Sequence, residues 1–132
     1  METKKLLSEY YKCLSGKGPV GALLSEDIVL SGTVAKENRG KEAFLNNLFF
    51  QFIKSLEVKT MIIENDCACA VVRYELVSSK GGGLSCDVAE IWGLRNGKLC
   101  SLAMYFDTAA YQKFTLPILF PLARLKKKKP PL

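Results

Sequence analysis

The chain has 132 residues, enough for one domain on one core, and its 48% hydrophobic and 24% charged composition suits a globular protein. It contains no histidine, which excludes Ser-His-Asp and Cys-His catalysis, His-ligated zinc and imidazole proton shuttles. The net charge of +6 sits almost wholly in a C-terminal run, so the body lacks the basic, aromatic-laced face of a nucleic-acid-binding domain.

Leu6, Leu7, Tyr10, Tyr11 and Leu14 recur at helical spacing and predict an amphipathic helix over residues 2 to 15. Met1 to Lys5 carries no apolar stretch behind its lysines, so no secretory signal is expected. Gly16 and Gly18 end the helix, and Pro19 suits the first turn of a short second helix to Leu24. Ile28 to Leu30 reads as a short strand. A loop through Lys36 to Gly40 leads into a helix from Lys41 to about Ser55, with an apolar stripe of Phe44, Leu45, Leu48, Phe49, Phe52 and Ile53.

Long strands follow: Glu57 to Glu64 with Cys67 to Val77, then Leu84 to Leu94, then Leu99 to Asp107. Asn65-Asp66, Ser78 to Gly83 and Asn96-Gly97 supply the turns. The order is that of an α+β domain. In the third long strand, alternation puts Val88, Glu90, Trp92 and Leu94 on one face, where Glu90 is the only charge. Its carboxyl should be desolvated and its pKa raised. The last strand is expected to face the core with Cys100, Leu102, Met104 and Phe106. Ala70, Val72, Tyr74 and Leu76 form the more apolar face of their strand, which turns Arg73 and Glu75 outward as a solvated pair.

Asp107 is read as a cap or tie against residues 108 to 114. The five cysteines, at 13, 67, 69, 86 and 100, read as reduced thiols of a cytoplasmic protein, and Cys67-Ala68-Cys69 is not a metal site. Residues 1 to 114 form the domain. Residues 115 to 132 form a tail, apolar from Leu116 to Leu125 and basic at Arg124 and Lys126 to Lys129. Outside those five cations, fourteen basic residues meet thirteen acidic ones. The prolines argue against a long helix in the tail, which is expected to strap the protein or a partner subunit, or to touch acidic lipid.

Together, Tyr10-Tyr11 before a glycine break, Gly40-Lys41-Glu42-Ala43, Ala89 to Leu94 before Asn96-Gly97-Lys98, and Met104 to Asp107 resemble the nuclear transport factor 2-like superfamily. The likeness is to its SnoaL-like members and covers roughly residues 5 to 114. It implies a cone: a strongly curved, mostly antiparallel sheet wrapped around N-terminal helices, with an interior cavity. The Lys41 to Ser55 helix would lie in the concavity, with Phe44, Leu48 and Phe52 nearly fully buried. The resemblance also implies a homodimer that binds a small, largely apolar molecule. If catalytic, it would be an isomerase, cyclase, dehydratase or hydrolase working by acid-base chemistry without metal or cofactor. Against ketosteroid isomerase-like members, Tyr11 and Glu90 match the oxyanion-holding pair, and the general base would fall near Ser31. Against limonene epoxide hydrolase-like members, Arg73-Tyr74-Glu75 matches an interior Arg-x-Asp, and the second acid falls at Met104. The implied catalytic set is thus Glu90 with Tyr11, Arg73 and Glu75, and the implied cavity wall is Ser31, Phe52, Trp92, Met104 and Phe106. The competing class is a non-catalytic binding or assembly module with a vestigial pocket.

Overall fold

The computed structural model describes residues 2–16, 18–33, 37–80 and 82–119. Helix α1 (Glu2–Ser15) is followed by a 3-10 turn (Gly21–Leu23) and strand β1 (Leu24–Gly32). Next come a two-residue β2 (Asn38–Arg39) and the short helices α2 (Lys41–Leu45) and α3 (Leu48–Gln51). Strands β3 (Ile53–Glu64), β4 (Cys67–Val77), β5 (Gly83–Arg95) and β6 (Lys98–Tyr105) lead to helix α4 (Thr108–Leu119). One open, curved sheet has the order β2-β1-β6-β5-β4-β3, antiparallel throughout except that β1 lies parallel to β6. The α+β architecture with N-terminal helices on a curved, mostly antiparallel sheet is as expected.

The alternation in β4 and β5 turns Ala68, Ala70, Val72, Tyr74 and Leu76, and Cys86, Val88, Glu90 and Trp92, onto the concave face. Leu7, Tyr10 and Tyr11 of α1 pack there too. Register ties the strands into rungs. Gly32, Met104, Glu90 and Ala70 form one, and Leu30, Leu102, Trp92 and Ala68 the next. The β5–β6 hairpin turns at Asn96 (φ 52°) and Gly97 (φ 73°), two successive left-handed residues as an Asn-Gly turn demands.

Four expectations are corrected. The helix from Lys41 to Ser55 is two short helices, because Asn47 is extended and its side chain accepts from the Phe49 N–H at 3.0 Å, starting a new helix. The chain then enters β3 at Ile53, which pairs with Leu76. Within this stretch Phe44, Phe49, Phe52 and Ile53 are buried, Leu48 is half-buried and Leu45 is exposed. In β6 a bulge opposite Gly93–Leu94 puts Leu99 on the core face and leaves Cys100 half-buried. Finally, α4 runs across the expected boundary at residue 115 and contains Pro117. Proline there comes late in the helix, and Thr115 bonds back to the Tyr111 and Gln112 carbonyls. Leu122, Leu125 and the basic run lie outside the described residues. Asp107 caps α4, accepting from the Ala110 N–H at 3.1 Å.

Gly32 has φ of +101°, and a Cβ there would collide with the Met104 backbone, whereas a Cβ at Gly97 would meet nothing within 4 Å. Gly97→Ala should cost about 1 kcal/mol, the left-handed penalty alone. Gly32→Ala should cost at least twice as much by urea unfolding, since strand β1 must move off β6.

Candidate functional site

Strand β5 carries Glu90 into the concave face, where it is fully buried. Three elements converge on it. Tyr11 of α1 donates its hydroxyl to Oε1 at 2.5 Å, and Tyr74 of β4 donates to Oε2 at 2.6 Å. Trp92 Nε1 donates to the Tyr11 hydroxyl at 2.9 Å, so that oxygen both accepts and donates. Tyr10 packs edge-on against Tyr11 and Trp92, at ring distances of 5.2 and 4.7 Å. Its hydroxyl is buried and has no hydrogen-bond partner among the described residues.

Burial dominates the electrostatics. It lifts Glu90 from the ordinary 4.5 to about 7, while the two phenol bonds pull the other way by favouring the carboxylate. Tyr10, Tyr11 and Tyr74 all move upward, first through burial and then through the Glu90 charge, so they stay protonated donors. The short Tyr–Glu distances are those of charge-assisted bonds. A protonated Glu90 can donate only by reversing one of them. Tyr11 already accepts from Trp92, so reversal falls to Tyr74, whose oxygen accepts from no described group. The cluster can therefore take up or release one proton near neutral pH by turning one hydroxyl.

The structure brings Tyr11, Glu90, Trp92 and Met104 together. Met104 shares Glu90's rung. Phe52 and Phe106 belong to a neighbouring aromatic cluster in which Phe52 meets Phe114 and Phe106 meets Phe49 and Tyr111. Phe49 joins the two groups, 5.2 Å from Tyr74. Arg73 and Glu75 stand on the opposite, outer face, as alternation predicts and against the family resemblance. Arg73 forms a two-pronged pair with Asp87 (2.8 and 3.2 Å), and Glu75 accepts from Ser85. Ser31 lies on the outward rung with Ala103 and Ile91, while Gly32 occupies the place beside Met104. The position that the resemblance gives to an isomerase base is held by Ser31, a hydroxyl and not a carboxylate. Tyr74 and Phe49 join the cluster without a site role expected from the sequence, and Tyr10, read beside Tyr11, packs against it. Tyr74's apolar-face position was readable, but the β4–β5 register that aims it at Glu90 was not.

Openings lie along α1 on either side. Tyr10, Leu14, Gly18, Val20, Phe44, Leu45 and Phe50 line a groove of about 180 Å³. A cleft of about 600 Å³ lies between α1 and the hairpin turns, lined by Lys5, Glu9, Asp66 and Arg95 with Leu6 and Leu94. Among the described residues, no group of three His, Cys, Asp or Glu side chains could hold a metal ion, and no helix is long and apolar enough to cross a membrane.

No protein-family model matches the chain, and no curated protein matches its sequence. Solved structures do match its fold. TerC, co-crystallized with polyporic acid, aligns with a TM-score of 0.75 at 15% identity, over 86% of this chain and 98% of its own. An NTF2-like protein of unknown function from Cytophaga hutchinsonii aligns at 0.68 and 21%, over 81% and 91%. A structure named as a SnoaL-like polyketide cyclase from Jannaschia sp. CCS1 aligns at 0.73 and 12%, over 86% and 90%.

A group whose folded pKa is raised from 4.5 to about 7 costs nothing below pH 4.5, where folded and unfolded chains are both protonated. Between those values unfolding releases a proton, so stability falls as pH rises; above them the full cost remains. For Glu90 that cost is on the order of 3 kcal/mol. Urea unfolding from pH 4 to 8 should show this decline in the native chain and a flatter profile in Glu90→Gln. A carbon-13 carboxyl titration should place the midpoint near 7.

Proposed function

Since the chain has the nuclear transport factor 2-like fold, we propose that it binds a small, largely apolar molecule on the concave side of the sheet, with the Glu90 cluster as its polar anchor. The observation that carries this reading is a fully buried carboxyl held by two phenols among Trp92, Met104 and Val88. A structural strand acid would sit at the surface with a cation, as Asp87 does with Arg73. An acid whose charge is disfavoured by burial, and able to pass a proton through Tyr74, suits a ligand with one hydroxyl or carbonyl on an apolar frame. TerC's co-crystallization with polyporic acid supports a ring-bearing ligand class.

The upward push that burial gives the Glu90 carboxyl, together with its two phenol partners, favours a second reading, cofactor-free acid-base catalysis with Glu90 as proton shuttle and Tyr11 as the oxyanion donor. Arg73, Glu75 and Ser31 take no part in it. That neither the isomerase-like nor the hydrolase-like set is complete supports binding over turnover.

Trp92 is the only tryptophan of the chain and donates to Tyr11, so its fluorescence reports directly on the cluster. Titration with polyporic acid and a panel of polycyclic ketones should give saturable quenching in the native protein. Glu90→Gln should weaken it at least fivefold, the worth of about one lost hydrogen bond. A panel with no saturable response points to the assembly-module alternative.

The outer face carries exposed Ile62 and Ile91 on one rung, with Tyr105 nearby. We propose that a second copy of the chain covers this patch as a homodimer. Sedimentation should give a dimer for the native chain and a monomer for Ile91→Glu. An Ile91→Glu dimer would place the contact elsewhere.

A further inference from the structure

We propose that the C-terminal part of the chain, from Leu116 onward, docks on an acidic phospholipid surface, with its lysine run on the headgroups and its large apolar side chains in the layer beneath them.

The first observation is where the charge sits. Residues 1 to 107 carry thirteen basic and thirteen acidic side chains, which cancel. Asp107, the cap of α4, is the last acid in the chain. The residues after it hold Lys113, Arg124 and Lys126 to Lys129, and so contain the whole net charge of +6. A balanced body followed by unbalanced cations concentrates attraction at one end, towards a partner of dense negative charge.

The described part of α4 carries the same two features, unneutralised cations and exposed apolar surface. Phe114 packs inward against Phe52, while Leu116 is 40% exposed. One turn before Leu116, Lys113 borders a surface depression together with Lys80 of the β4–β5 turn. The other residues lining it, from Ser78 and Leu84 to Ala110 and Pro117, bear no charge. Neither ammonium has an acidic partner among the described residues, whereas Arg39, Lys41, Lys59, Arg73 and Arg95 are all paired.

The kind of partner follows from what lies between the cations. Leu116, Ile118, Leu119, Phe120, Leu122 and Leu125 are five aliphatic side chains and one aromatic. Nucleic acid would take aromatics for stacking on bases and has no layer to receive aliphatic ones. A lipid surface receives both parts, since lysines are drawn to anionic headgroups and large apolar side chains enter the acyl boundary. The stretch from Leu116 to Leu125 is about half the roughly 20 residues that a membrane span requires, and Pro117, Pro121 and Arg124 interrupt it. The geometry is therefore docking on the surface and not crossing. Neither part is sufficient alone, because firm attachment takes an apolar insertion and a basic cluster together.

Co-sedimentation of the full chain with phosphatidylcholine vesicles containing about 30% phosphatidylserine tests this. The native chain should bind these vesicles and leave pure phosphatidylcholine vesicles unbound. Its affinity should fall at least tenfold between about 0.05 and 0.5 M salt. Replacing Lys126, Lys127, Lys128 and Lys129 by Gln should weaken binding about fivefold for each cation removed, so that the fourfold variant no longer sediments with the vesicles. Phe120→Ser with Leu122→Ser should weaken binding at least tenfold through lost apolar burial, with the native melting temperature and sedimentation coefficient retained. A lowered melting temperature or an altered oligomer in that double variant would place these side chains against protein and overturn the proposal. Equal binding to both vesicle types, binding indifferent to salt, or native affinity in the fourfold lysine variant would overturn it too. So would tighter binding to a mixed-sequence DNA duplex than to the vesicles, which would assign the cations to nucleic acid.

Discussion

Everything in this structure is arranged around one desolvated carboxyl. Glu90 on β5 receives Tyr11 from α1 and Tyr74 from β4, so a single side chain joins the N-terminal helix to two central strands. Taking a carboxylate out of water is costly, and two short phenol bonds offset only part of that cost. The arrangement is also a register device. A one-residue slip of β5 would turn Glu90 to the outer face and strand both phenols without acceptors, so competing registers are penalised twice.

The space for this cluster comes from residues that are small. Ala70 stands across from Glu90 and Ala68 across from Trp92, which leaves depth for the rings of Tyr10 and Tyr11 on the concave side. Gly32 closes the same rung at its far end, where its positive φ and missing Cβ let β1 come close to Met104. The concave face thus alternates bulky and absent side chains along its rungs, and its polar chemistry concentrates at one point. On the outer face polar chemistry is solvent-screened, as the Arg73–Asp87 pair shows, and such pairs add little to stability.

Period-two patterns were the most legible part of the chain. Alternation in β4 and β5 placed Glu90, Trp92 and Val88 inside and Arg73 outside, because side-chain direction in a strand follows from parity alone. Parity fails where a bulge inserts a residue, and so Cys100 was misplaced while Leu99 took the core position. The Lys41 to Ser55 stretch misled for a different reason. Its apolar spacing is helical, but Asn47 offers its own side chain to the backbone and resets the helix, a local competition invisible to a count of apolar positions. The partnership of Tyr74 with Glu90 needs the β4–β5 register, and the free Tyr10 hydroxyl needs the packing of α1. Neither is written in local sequence.

The parallel contact between β1 and β6 has a consequence for the order of events as the chain is made. Leu30 lies beside Leu102 and Tyr11 bonds Glu90 across a separation of 79 residues, while β3 to β6 are joined by turns in sequence. The four-strand meander is the low-contact-order part of the molecule and is suited to form first. The segment from α1 through β1 precedes β5 and β6 in the chain, so Tyr11 has no carboxyl to bond and Leu30 no Leu102 beside it until those strands have emerged. The last strands therefore decide when the N-terminal segment completes its contacts.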